Sequence, residues 1–128
     1  MAGNRSVVLV SNHQDTAELY ALALEAAGFA VACAPDVAAA LALIDTIPPA
    51  AIIVHFLPRN DPAAIGALLR QGRPATVLIG LFSIHLPVAT LQEVLASFDD
   101  VALIPCSPDT LVSRLLRLEE IKQRQQSA

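Results

Sequence analysis

At 128 residues, with 55% hydrophobic side chains and a formal net charge of −4, the chain has the size of one domain and is too apolar for disorder. Twelve acidic against eight basic residues leave no basic footprint for nucleic acid, and no run approaches the ~20 apolar residues of a membrane span. The opening Met1-Ala2-Gly3-Asn4-Arg5 leads straight into a short strand without the apolar stretch of a signal peptide, so a soluble cytoplasmic protein is expected.

In chain order, two periodicities alternate. Ser6 to Ser11 reads as a strand, and Asp15-Thr16-Ala17-Glu18 has a capping-box-like pattern opening a helix that stops at Gly28. Phe29 to Ala34 is a second strand, and Asp36 can cap a helix through Val37 to Ile44 that Pro48-Pro49 ends. Ala50-Ala51-Ile52-Ile53-Val54-His55-Phe56-Leu57-Pro58 then reads as a central strand buried on both faces, because its apolar residues do not alternate with polar ones.

Asp61-Pro62 is a cap followed by a first-turn proline, predicting a third helix to about Gly72, with Pro74 closing the connection. Thr76 to Leu81 is the fourth strand, Pro87 to Phe98 the fourth helix and Val101 to Ile104 the fifth strand. Ser107-Pro108 repeats the cap-plus-proline device, and Leu111, Leu115 and Leu118 give the last helix its inward face. A single domain over about 5–118 is expected, with a polar tail over 119–128 that frays from Gln123 and contains the only lysine, Lys122. Arg59, Arg70 and Arg73 read as a solvated loop and helix end. Cys33 and Cys106, lacking C-x-x-C spacing, read as small buried hydrophobes. Strands alternating with helices predict a parallel five-stranded sheet in a flavodoxin-like (βα)5 doubly wound α/β sandwich, order 2-1-3-4-5, with ligands expected at the carboxyl ends of the strands.

Three stretches at these separations resemble the receiver domains of two-component response regulators. Val7 to Leu19, continuing to Phe29, is similar to the family's first strand and helix; Pro49 to Pro58 to its acceptor strand; Asp99 to Leu111 to its fifth strand and helix entry. The resemblance implies a phosphorelay signalling role in bacteria, and it implies where the chemistry should sit. Family members hold magnesium with an acidic pair and an acceptor aspartate, since hard cations need those oxygens. Here the matching positions are Ser11 and Asn12 for the pair, Val54 for the acceptor and Ile104 for the lysine, while the switch aromatic falls on Val101 and the nearest switch hydroxyl is Ser83. Pro105 matches the proline that follows a cis peptide in the family, and Asp61 matches a loop acid whose usual glycine neighbour is replaced by Pro62. The resemblance therefore implies a pseudo-receiver with no catalytic residues, no enzymatic activity and no cofactor, acting by contact with a protein partner or a second copy of itself.

Two further readings concern the same rim. Phe56, Leu57, Phe82, Ile84 and Leu86 follow two adjacent strands, so they either fill the volume left by the missing ion or form an exposed apolar patch for a partner. His13, His55, His85 and Cys106 lie at or just past four strand ends, and imidazole and thiolate suit a transition metal or a redox function better than magnesium. No nucleophile elbow and no Gly-x-Gly turn point to hydrolytic or dinucleotide chemistry.

Overall fold

The computed structural model describes residues 5–46, 49–56, 61–73, 75–83, 87–104 and 107–127. Its strands are β1 (Ser6–Val10), β2 (Ala30–Ala34), β3 (Ala51–His55), β4 (Val77–Phe82) and β5 (Asp100–Leu103). Alternating with them are helices α1 (Gln14–Ala26), α2 (Val37–Thr46), α3 (Pro62–Arg70), α4 (Val88–Leu95) and α5 (Pro108–Ser127). All strand pairs are parallel and the order is β2-β1-β3-β4-β5, the expected topology. The three middle strands are buried almost throughout, which is why their sequences run apolar without alternation.

Side-chain parity divides the core into two layers. Val7, Leu9, Ala51, Ile53, Val77, Ile79 and Leu81 pack with Tyr20 and Leu24 of α1 and with Leu111 and Leu115 of α5. Val8, Val10, Ile52, Val54, Leu78 and Phe82 face the other way, onto Ala40 and Ile44 of α2, Leu69 of α3 and Val94 of α4. Successive strand residues point to opposite faces, so a one-residue step decides which helices a side chain meets.

Most of the helix entries follow the local chemistry. Asp36 Oδ1 accepts the Ala39 N–H at 2.8 Å, Asp61 Oδ1 accepts the Ala64 N–H at 3.3 Å ahead of Pro62, and Ser107 Oγ accepts the Asp109 N–H at 3.2 Å ahead of Pro108. Gly28 closes α1 with φ +101°, a conformation costly to any residue with a Cβ.

The capping box expected at Asp15 and Glu18 does not form. The helix starts earlier, with His13 at the cap position making no side-chain cap bond, and Glu18 instead accepts from the Gln14 amide at 3.1 Å. The tail does not fray where expected either: α5 remains helical through Ser127, although Gln123 to Gln125 are exposed. Glu119 takes a 2.9 Å bond from Arg5, whose guanidinium stacks 4.3 Å above the Phe29 ring, and Lys122 reaches Asp99 at 3.1 Å. Such partly exposed pairs are each worth about 1 kcal/mol or less, but together they fix the long helix to the body.

Arg70 is likewise no solvated helix end. It donates to Ser97, Arg73 and Thr76 carbonyls and to Asp99 Oδ2 at 2.8 Å, tying α3 to the entry of β5. Cys33 is exposed rather than buried because β2 is an edge strand covered poorly on one side, and Cys106 lies outside the described residues. None of the described helices is long and apolar enough to cross a membrane.

Candidate functional site

Across the carboxyl half of the sheet the pairing register aligns Ala34, Val10, Val54, Gly80 and Val101 in one row. None of these five side chains can ionise, accept a covalent group or ligate a hard cation. Val54 is 2% exposed and belongs to the apolar layer under α2, α3 and α4.

Just beyond this row the polar groups begin. Ser11, whose N–H bonds the Ala34 carbonyl at 2.9 Å, is buried, and its hydroxyl lies 3.1 Å from His55 Nδ1. The same oxygen accepts the His13 N–H at 3.1 Å and stands 3.4 Å from the His13 carbonyl. The hydroxyl thereby turns the chain from β1 into α1, which is why the helix opens without a side-chain cap. His13 and His55 rings meet edge to face, their centres 6.3 Å apart. Ser11, Asn12, Val54 and His55 line a cleft of about 300 Å³ with Val10, Pro35, Asp36 and Val37.

The remaining two pocket candidates go elsewhere. Ser83 and Ile104 line a second cavity of about 260 Å³ with Thr16, Leu19 and Tyr20 of α1. Val54 belongs to the layer under α2, α3 and α4, whereas Ile104 packs against the layer under α1 and α5. The five residues expected in one pocket thus fall, among the described residues, into two.

The apolar rim also needs correction. Phe56 and Phe82 are 2% and 4% exposed, stacked with centres 4.9 Å apart, and Phe98 abuts Phe56 edge-on at 5.4 Å. They are core, not surface. Gly80 makes room for them, because a Cβ there would lie 3.1 Å from both the Phe56 and the Phe82 rings. The signal was present in the parity of β3: Ile52, Val54 and Phe56 share a face, and the Phe56 N–H still bonds the Leu81 carbonyl at 2.9 Å. Leu57, Ile84 and Leu86 lie outside the described residues, as do Pro105, His85 and Cys106. Among the described residues no group of three or more His, Cys, Asp or Glu side chains could hold a metal ion. Although Cys33 is exposed, what shielding from water its thiol does have, followed by the charges of Glu25 and Glu18, raises it above its ordinary value, which leaves little thiolate for redox chemistry.

No protein-family model matches the chain. No curated protein matches it either. Solved structures do. A CheY-like response regulator receiver domain protein from Methanospirillum hungatei superposes with a TM-score of 0.86 at 16% identity, covering 96% of this chain and 99% of that one. The receiver domain of the Francisella response regulator 1452 gives 0.78 at 24% identity over 91% and 98%. The Vibrio cholerae chemotaxis protein CheY4 gives 0.80 at 22% over 91% and 99%. The chain has the receiver fold.

Within that receiver fold the surroundings alter the titration of His55. Its pKa is lowered from the ordinary 6.5 by burial and, secondarily, by His13. The sign follows from linkage: between the lowered folded value and 6.5 the unfolded chain binds the proton and the folded chain does not. Stability is therefore full above pH 6.5 and is lost as the pH falls through the folded value. Denaturation midpoints below pH 6.5 are expected to drop more steeply for the parent than for His55→Asn. Parallel curves for the two proteins would show that His55 is not the group responsible.

Proposed function

We propose that the chain is a receiver-like module of a two-component signalling system that works by protein contact and takes no phosphoryl group. The observation that carries this reading is the apolar row through Val10, Val54 and Gly80, with Val54 fully buried at the strand position that resembles the acceptor. Valine offers no oxygen for an acyl phosphate, and the hydroxyl of Ser11 and amide of Asn12 carry no charge to hold magnesium. The sole lysine supports it from the opposite direction. Lys122 pairs with Asp99, and Asp99 also accepts the N–H of Leu78 near the start of β4, so that ammonium group lies at the amino ends of the strands. At the carboxyl end of β5 stands Ile104.

With Phe56 and Phe82 inside, the apolar surface available to a protein partner or a second copy is sought elsewhere. Val88 and Leu95, seven residues apart on one side of α4, are 70% and 45% exposed, and Leu103 on the edge strand β5 is 42% exposed. This α4–β5 face is the one we assign to partner contact.

Magnesium with beryllofluoride, which mimics a bound phosphoryl group, provides the test through thermal unfolding. No change in melting temperature is expected, because a ligand stabilises only a fold that binds it. A rise that saturates with beryllofluoride and requires magnesium would overturn the proposal.

A further inference from the structure

The geometry points to a binding site for a divalent transition-metal ion, zinc in the first instance, held by the imidazoles of His13 and His55 at the mouth of the cleft beside Ser11. This goes beyond the signalling role proposed above and does not depend on it. Zinc–nitrogen bonds of about 2.0–2.1 Å put an imidazole centre roughly 3 Å from the ion, so two rings sharing one tetrahedral ion stand about 5 Å apart. The observed separation is 6.3 Å. The exposed His13 side chain, at the start of α1, has to swing toward His55 to close the difference on binding.

Ser11 supplies the outer support that such a ligand pair needs. A hydroxyl has one hydrogen and two lone pairs. When its hydrogen turns to the His13 carbonyl at 3.4 Å, the oxygen accepts from the His13 N–H and from His55 Nδ1, both at 3.1 Å. That arrangement fixes the His55 ring and leaves the Nε2 lone pair for a metal, the usual division of labour in an imidazole ligand. The donor set of two nitrogens without a carboxylate pair selects zinc, copper or nickel over magnesium. Two protein ligands leave the other coordination positions to water, so affinity in the micromolar range is expected rather than that of a closed structural site.

The charges around the cleft are compatible with a cation. Asp36 lines it and Asp15 stands in the first turn of α1, while no lysine or arginine is among its described lining residues. The amino end of α1 disfavours positive charge, which argues further for modest affinity.

The test is a titration of the purified chain with zinc chloride, followed by calorimetry and by the imidazole signals in nuclear magnetic resonance spectra. One equivalent should shift the His13 and His55 rings together. His13→Ala should weaken binding at least tenfold, and so should His55→Asn, whose amide keeps a donor toward Ser11 while removing the Nε2 ligand. Ser11→Ala should weaken it about tenfold through loss of the outer hydrogen bond. Retained binding in the His13→Ala, His55→Asn double variant would overturn the site, as would zinc moving neither ring in the parent. If His55→Asn does not fold, His13→Ala decides alone, because His13 is an exposed residue whose loss leaves the core intact.

Discussion

Replacing Phe56 with alanine is expected to cost about 3–5 kcal/mol and to lower the melting temperature by more than about 10 °C. The ring is 2% exposed, stacks on Phe82 and receives the edge of Phe98, so truncation opens a cavity between β3, β4 and the end of α4. The backbone of three elements would have to move to close it. Equilibrium urea unfolding measures the loss directly. A cost below about 1 kcal/mol would mean that the ring contributes like a surface residue, and the apolar rim would return as the partner surface.

Val54→Asp should cost about 2–4 kcal/mol at neutral pH, through a charge placed without partners at the end of a buried strand. In a pocket built for magnesium, neighbouring carboxylates would make the ion a remedy. Here the carboxylate among the described residues lining the cleft is Asp36, whose Oδ1 already caps α2. Millimolar magnesium is therefore expected to restore little of the lost stability. Val54→Asn separates the two contributions, since it introduces polarity without charge. A Val54→Asp protein that melts at or above the parent temperature would place the residue in solvent and remove the main support for the functional proposal.

The fold was legible because its determinants are local. The apolar runs of β1, β3 and β4, the caps at Asp36, Asp61 and Ser107 and the proline after two of them each act within a few residues, and their alternation leaves a parallel doubly wound sheet as the natural arrangement. What escaped depends on contacts across the chain. Lys122 read as part of a polar tail and Arg70 as a solvated helix end because their partner, Asp99, is 23 and 29 residues away in sequence. Cys33 read as buried because composition does not say which strand ends up at the sheet edge.

The candidate site was legible in part. Ser11, Asn12 and Val54 do come together at the strand ends, with His55 beside them. Among the described cavities, Ile104 and Ser83 line a different one, beside Thr16, Leu19 and Tyr20 of α1. The period of two along β3 carries Phe56 into the core with Ile52 and Val54, although residues just past a strand end are usually polar. The Ser11–His55 contact, 44 residues apart, carries no sequence signature at all.

Phosphoryl transfer itself is the most direct test. The purified chain is incubated with acetyl phosphate and magnesium and its intact mass is recorded: the buried Val54, with Ser11, Asn12 and Ile104 at the strand ends, predicts an unchanged mass, whereas the gain of one hydroxylamine-labile phosphoryl group would contradict it.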